Sequence, residues 1–138
     1  MTDINAAEAV QEHTADRRAY LRERLTNGAG KVTYVDLPIC GQEHRLRFDF
    51  NAWCDVELEA AVTGPVAAYR QLVEGRASPL LVRAMILNAL KCGSDDAEFK
   101  PGPLVDRLLA DYPFGVAIGI AEVAVAAFLV GVDPTPET

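Results

Sequence analysis

Between residues 32 and 59, the apolar residues change their spacing from that of a strand to that of a helix. Leu46, Phe48 and Phe50 alternate with charged residues, which is typical of a strand with one buried face. A preceding apolar stretch and a turn at Gly41 and Gln42 predict an antiparallel hairpin. Because a lone two-stranded hairpin is at best marginally stable in water, we expect later helices to cover its apolar face.

A helix over 52–62 is predicted to follow the second strand directly. Asn51 precedes it and has a side-chain oxygen that can accept a backbone N–H, so it is the predicted N-cap. Trp53 is the only tryptophan of the chain. At the start of a helix that follows a strand we expect it in the core, and a position in an interface is the alternative.

Four more helices are predicted from apolar spacing and from the Gly and Pro residues between them. Their predicted ranges are 66–74, 79–92, 103–112 and 114–132. Ser78 followed by Pro79 is typical of an N-cap and a first helical turn. In the first of these helices, Tyr69, Leu72 and Val73 are predicted to face inward.

The N-terminal segment differs from the rest because it favours helix but offers few apolar anchors between Ile4 and Leu25. We divide the chain into a helical arm and loop (1–30), a hairpin plus helical domain (31–132) and a flexible tail (133–138). The predicted fold class is α+β and mostly α: a helical arm, a two-stranded antiparallel hairpin and about five helices packed as one domain.

Charge and composition exclude several classes of protein. With 20 acidic and 13 basic residues the formal net charge is -7, which disfavours binding to nucleic acid. The segment 114–132 approaches the length of a membrane span, but Glu122 lies near its centre and no Lys or Arg flanks it. We therefore predict a buried last helix and no membrane association. We expect Glu122 to face solvent, a partner chain or Arg107.

The chain contains little that suggests chemistry. Three widely spaced cysteines and a polar N-terminus without a secretory leader indicate a cytoplasmic protein. Cys40 and His44 flank the hairpin turn as half of a possible metal site, but no further ligand is close in the sequence. No nucleotide-binding or nucleophile motif occurs either. We predict no enzymatic activity, no catalytic residue, no metal and no cofactor.

Two charged residues fall among apolar ones on helical wheels. Glu57 lies on the apolar side of the 52–62 helix, and Arg83 lies between Leu87 and Leu90 on the 79–92 helix. Because an isolated buried charge costs several kcal/mol, we predict a structural ion pair between Glu57 and Arg83. The alternative is that each side chain extends to solvent at the rim of the core.

The run 41–65, followed by 80–93, resembles the tail assembly chaperone family of long-tailed phages and gene transfer agents. The family has a short hairpin, a helix reading Ala-Leu-x-Glu-Leu-Glu, and a later helix with an early Arg and a late Ala-Leu. Here these positions hold Ala-Trp-Cys-Asp-Val-Glu at 52–57, Arg83 and Ala89 with Leu90. The resemblance covers roughly 31–131 and departs at Trp53, where leucine is usual, and in the additional arm.

The resemblance implies a non-enzymatic protein of the host cell cytoplasm that coats the helical tape measure protein before tail tube subunits polymerise. The tape measure protein is the implied partner, and the tail tube protein a possible second one. Self-association is also expected. Two alternatives remain: a head-tail or tail structural subunit that uses the hairpin edge, and a small acidic inhibitor of a host nucleic-acid enzyme.

The contact surface is predicted on the last two helices. Leu108, Tyr112 and Phe128 are the residues that we expect to be exposed and to bind the partner. If they belong to the core instead, the hairpin edge with Thr33 and Val35 becomes the expected contact surface.

Overall fold

The computed structural model describes residues 3–134, and the chain divides into two compact units, 1–31 and 32–138. The order of elements is a long helix, a hairpin and five further helices, which confirms the predicted α+β class. Residues 135–138 of the predicted tail lie outside the described residues. The elements are α1 Asp3–Gly28, β1 Tyr34–Ile39, β2 Gln42–Arg47, α2 Phe50–Ala60, α3 Pro65–Val73, α4 Pro79–Gly93, α5 Pro101–Asp111 and α6 Phe114–Val130.

The helix of the first unit, α1, is exposed along its whole described length from residue 5 to residue 28. It continues past the predicted end at Leu25, and the Thr26 hydroxyl donates to the Arg22 carbonyl one turn earlier, 2.9 Å away. Gly28 is still helical, and Gly30 has the left-handed backbone (φ 80°). The second glycine of the loop therefore follows the helix end, and the first lies within the helix.

The hairpin pairs Ile39 with Gln42 across a two-residue turn. Cys40 and Gly41 form this turn with φ values of 52° and 88°, as a type I′ turn requires, so the turn begins one residue before Gly41. Pro38 lies within β1 opposite Glu43. Proline is tolerated there because β1 has a pairing strand on one side only in this two-stranded sheet.

The connection from β2 to α2 differs from the prediction. α2 begins at Phe50, and its N-cap is Asp49, whose Oδ1 accepts a hydrogen bond from the Ala52 N–H at 2.7 Å. The prediction of Asn51 as the cap was wrong because the strand ends earlier than its alternation suggested. Turning at Asp49 leaves Phe50 exposed and brings Trp53 against Phe48, with ring centroids 5.3 Å apart. Trp53 is buried, as predicted.

The core of the second unit is built around α4, which packs against α2, β2, α5 and α6. Eight of its fifteen residues are buried, and the Ser78 hydroxyl caps it by accepting from the Leu81 N–H at 3.1 Å. Its last residue, Gly93, lies against the Arg45 backbone, where an added Cβ would be 2.0 Å from the carbonyl oxygen. Glycine therefore permits the close approach of α4 to β2.

The shorter helices bury fewer residues than predicted. In α3 only Ala68 and Leu72 are buried, while Tyr69 and Val73 are exposed, so the inward prediction holds for Leu72 alone. Ala68 and Leu72 lie one turn apart and form the side of α3 that packs against α6. α5 begins two residues before the predicted Pro103, at Pro101.

The last helix ends before its predicted limit. Gly131 takes a positive φ of 75° and ends α6, so Val132 lies outside the helix. Val132 instead pairs with Val32 in an antiparallel bridge, with N···O distances of 2.8 and 2.9 Å. The residue that begins the second unit is thereby joined to the segment that follows α6.

Candidate partner-binding site

The helix α6 is apolar around its whole circumference except at Glu122. Such a helix is normally buried on all sides. Here one side is buried, but Val116 and Val123 are each 43% exposed and Val130 is 60% exposed. α6 therefore presents an open apolar face that no described element of the second unit covers.

The residues of this face follow a regular spacing of three and four. Val116, Gly119, Val123, Ala126 and Val130 occupy the a and d positions of a heptad, and we call them the α6 stripe. A Cβ added at Gly119 would meet nothing within 4 Å, so the middle of the stripe is open as well. This arrangement is suited to packing against a second helix, because a/d positions form the seam between paired helices.

An apolar groove of about 370 Å³ runs between the stripe and the hairpin. Val123 and Ala126 line it from α6, and Tyr34, Val35 and Leu37 line it from β1. The outer edge of β1, like that of β2, has no pairing strand within the described part of the chain. A partner placed on α6 thus has access to apolar side chains on two elements.

Charged groups at the groove are partly neutralised within the chain. Arg45 binds Asp36 with two hydrogen bonds, at 2.9 and 3.2 Å, and its guanidinium lies over the Tyr34 ring at 3.7 Å. The hydrogen bond with Asp36 raises the pKa of Arg45. This ion pair holds Tyr34 at the groove and leaves Asp36 a weak source of charge.

Glu122 is the exception to this neutralisation. It is half-buried and lies one helical turn before Ala126, at the rim of the α6 stripe. Among residues 5–134 it makes no ion pair and no side-chain hydrogen bond. Arg107, one of its expected partners, faces Asp111 at 3.7 Å instead. Solvent or a partner chain remains for Glu122.

The three residues predicted to contact the partner differ in their exposure to solvent. Leu108 is only 2% exposed and belongs to the core, so the expectation that it is exposed was wrong. It lies on the same side of α5 as Val105, and both are buried where α5 packs against α4. Phe128 is half-buried and contacts Phe48 and Trp53 at 5.9 and 6.2 Å between ring centroids. Tyr112 is 42% exposed, and its role in partner binding stays a prediction.

The hairpin residues proposed as the alternative surface are more accessible. Thr33 is exposed, and Val35 is half-buried and lines the groove. The α6 stripe itself was missed because an all-apolar helix was interpreted as buried. Its signal was available in the sequence as valines at a seven-residue interval, 116, 123 and 130.

The predicted ion pair between Glu57 and Arg83 is wrong, because each residue has another partner. The Trp53 Nε1–H donates to Glu57 Oε2 at 2.5 Å, and Arg83 Nη2 donates to Asp106 Oδ1 at 3.3 Å. A buried indole N–H needs an acceptor, and Glu57 lies one turn away on the same helix. The Arg83 side chain is 41% exposed and reaches α5 at the rim, as the alternative interpretation anticipated.

One buried polar residue was not anticipated. Asn88 on α4 donates from Nδ2 to Glu59 Oε2 at 3.0 Å and to the Ala84 carbonyl at 2.8 Å. The hydrogen bond with Glu59 links α4 to α2. Nearby, burial raises the pKa of the Cys92 thiol, with the charge of Asp49 as a second cause.

The described residues contain neither a cluster of metal ligands nor a helix able to span a membrane. In residues 5–134 no three His, Cys, Asp or Glu side chains come together as metal ligands. His44 stacks on Phe99 with ring centroids 5.7 Å apart. None of the helices between residues 3 and 134 has the length and apolar content to cross a bilayer. Compared with known proteins, the chain matches no family model, no curated protein and no solved structure.

Proposed function

We propose that this chain is a non-enzymatic phage tail assembly chaperone, which binds the tape measure protein during tail morphogenesis in the host cytoplasm. The observation that supports this function best is the open α6 stripe beside the groove of β1. Exposed apolar faces of this kind mark protein interaction sites. The sequence resemblance supplies the identity of the partner.

A long helical partner suits this surface. The a/d spacing of the α6 stripe accepts the apolar face of an amphipathic helix, as in other helix-in-groove complexes. Several copies along one tape measure chain need only modest individual affinity, because neighbours raise each other's effective concentration. The net charge of -7 favours solubility of the free copies. Self-association and contact with the tail tube protein are parts of the same proposal.

Co-expression with the tape measure protein tests the proposal. Val123→Asp puts a charge in the centre of the stripe, so we expect the tape measure protein to lose its solubility and to stop copurifying. The matched control is Leu58→Asp, which changes an 83% exposed residue on α2 away from the stripe. We expect this control to behave as the wild type. Equal behaviour of the two variants, both folded by circular dichroism, would reject the stripe as the contact.

A structural subunit of the tail is the second candidate, and the unpaired outer edge of β1 favours it. Such a subunit would add its edge to the sheet of a neighbour and remain in the particle. Mass spectrometry of purified particles separates the two functions. A chaperone is absent from the finished particle, and a structural subunit is present in fixed proportion to the other tail proteins.

A further inference from the structure

We propose that the open face of α6 selects a helix whose apolar seam is flanked by basic residues, with one cation placed at Glu122. This inference rests on the proposed function in that it describes the partner of the same surface. It commits to the chemistry of that partner, which neither the fold nor the resemblance specifies. Three observations carry it: the spacing of the stripe, the position of Glu122 and the acidic net charge of the chain.

The first step concerns what happens to Glu122 when the stripe is covered. Glu122 is already half-buried as a residue and has no ion-pair or side-chain hydrogen-bond partner in residues 5–134. A helix packed on Val123 and Ala126 would remove further water from it, because Glu122 lies one turn from Ala126. An unpaired charge is costly in such a setting, and a lysine or arginine on the partner removes the cost.

The second step excludes a symmetric pair of α6 helices as the occupant. A two-fold axis through Val123 would bring the Glu122 side chains of both copies to the same seam. Like charges facing each other at a seam are unfavourable, and no Lys or Arg occurs anywhere in α6 to compensate. The same face on a second copy is therefore a poor partner.

The third step concerns the charges at the groove and on the chain as a whole. No residue that lines the groove is a lysine or arginine, and Asp36 in the lining is already paired with Arg45. The chain as a whole carries a net charge of -7. The acidic field therefore attracts a basic helix during encounter, and the neutral apolar stripe provides the contact once it docks. A helix with acidic flanks is repelled both during the encounter and after it docks.

Two designed peptides of three heptads test this selection without the tape measure protein. Both carry leucine at a and d; one has arginine at e and g, and the other has glutamate there. Binding of the fluorescently labelled peptides to the full chain is measured by anisotropy. We expect the arginine peptide to bind at least about tenfold more tightly than the glutamate peptide. Equal binding, or no binding of either peptide, overturns the proposal.

Variants of the chain show which of its residues cause the preference for the arginine peptide. Glu122→Gln is expected to weaken the arginine peptide at least about fivefold, and Glu122→Arg is expected to reverse the preference toward the glutamate peptide. Val123→Asp should remove binding of the arginine peptide, while Leu58→Asp should leave it unchanged. A preference that survives Glu122→Arg overturns the assignment of the cation to Glu122.

Competition distinguishes a second copy from a basic helix. If the chain associates with itself through α6, raising its concentration lowers the apparent affinity for the peptide, and sedimentation shows a dimer that Val123→Asp abolishes. That result overturns the proposal. The peptide measurement also separates the inference from the proposed function: peptide selection with no effect on tape measure solubility rejects only the function, and the opposite result rejects only the inference.

Discussion

Gly93 shows how one residue sets the distance between two elements. It is the last residue of α4, and its backbone lies so close to β2 that an added Cβ would come within 2.0 Å of the Arg45 carbonyl oxygen and 2.6 Å of its carbon. Both atoms belong to the backbone, so they cannot turn away as a flexible side chain would. Any larger residue must move α4 relative to the hairpin.

We therefore expect Gly93→Ala to lower the free energy of unfolding by about 1–3 kcal/mol, the usual cost of overpacking a filled site. Urea titration followed by circular dichroism measures the loss. The matched control is Gly102→Ala in α5, where an added Cβ meets nothing within 4 Å. There alanine favours the helix, and stability should stay equal or rise by up to about 1 kcal/mol. Equal effects of the two changes would contradict the close contact.

At the scale of elements, the start of α2 is decided by a side chain that the sequence pattern does not favour over its neighbours. Asp49 and Asn51 are both good N-cap residues and lie two positions apart. Asp49 has an extended backbone (φ -112°, ψ -177°) and accepts the Ala52 N–H, whereas Asn51 is already helical and exposed. Only the former satisfies one of the free N–H groups at the helix start.

Asp49→Ala is accordingly expected to cost about 0.5–2 kcal/mol of stability, and Asn51→Ala is expected to have little effect. Thermal unfolding of the two variants in parallel measures the difference. Asn51→Ala is a natural control because it removes a similar polar side chain from the same turn. A larger loss from Asn51→Ala would restore the residue that the sequence pattern favoured.

The elements themselves were predictable from the sequence, since the change of period and the Gly and Pro breaks gave their order and number. Their ends were not, because alternative caps such as Asp49 and Asn51 compete within one turn. The partners of Glu57 and Arg83 were not predictable either. A helical wheel gives the side on which a charge lies, but the neighbouring element that meets it depends on tertiary packing. The open side of α6 was missed for a different reason, since the valines at a seven-residue interval indicate it and the all-apolar helix was interpreted as buried.

At the scale of the whole molecule, the boundary between the two compact units also separates a segment without net charge from an acidic one. Residues 1–31 contain five acidic and five basic residues, so the net charge of -7 belongs entirely to residues 32–138. Residues 32–138 also contain all of the buried hydrophobic residues of the described part. The second unit therefore has its own core and its own acidic surface.

Deleting residues 1–31 is expected to leave a soluble unit that unfolds in one cooperative transition, with a Tm within a few degrees of the full chain. The reason is that the described side chains of α1 are exposed and contribute no residue to the core. Calorimetry of both proteins at the same concentration provides the measurement. Loss of the cooperative transition would show that the arm belongs to the core, and that the predicted boundary at residue 31 is wrong.

The bridge between Val32 and Val132 brings the start of the second unit next to the segment that follows its last helix. Two main-chain hydrogen bonds join residues one hundred positions apart, so the chain enters and leaves this unit at one point. Tags or domains attached directly beside Val32 and directly beside Val132 are therefore expected to lie close together on its surface. The unit is also a candidate for circular permutation, because a short linker would join its ends and new ends could open in the exposed loop between α4 and α5.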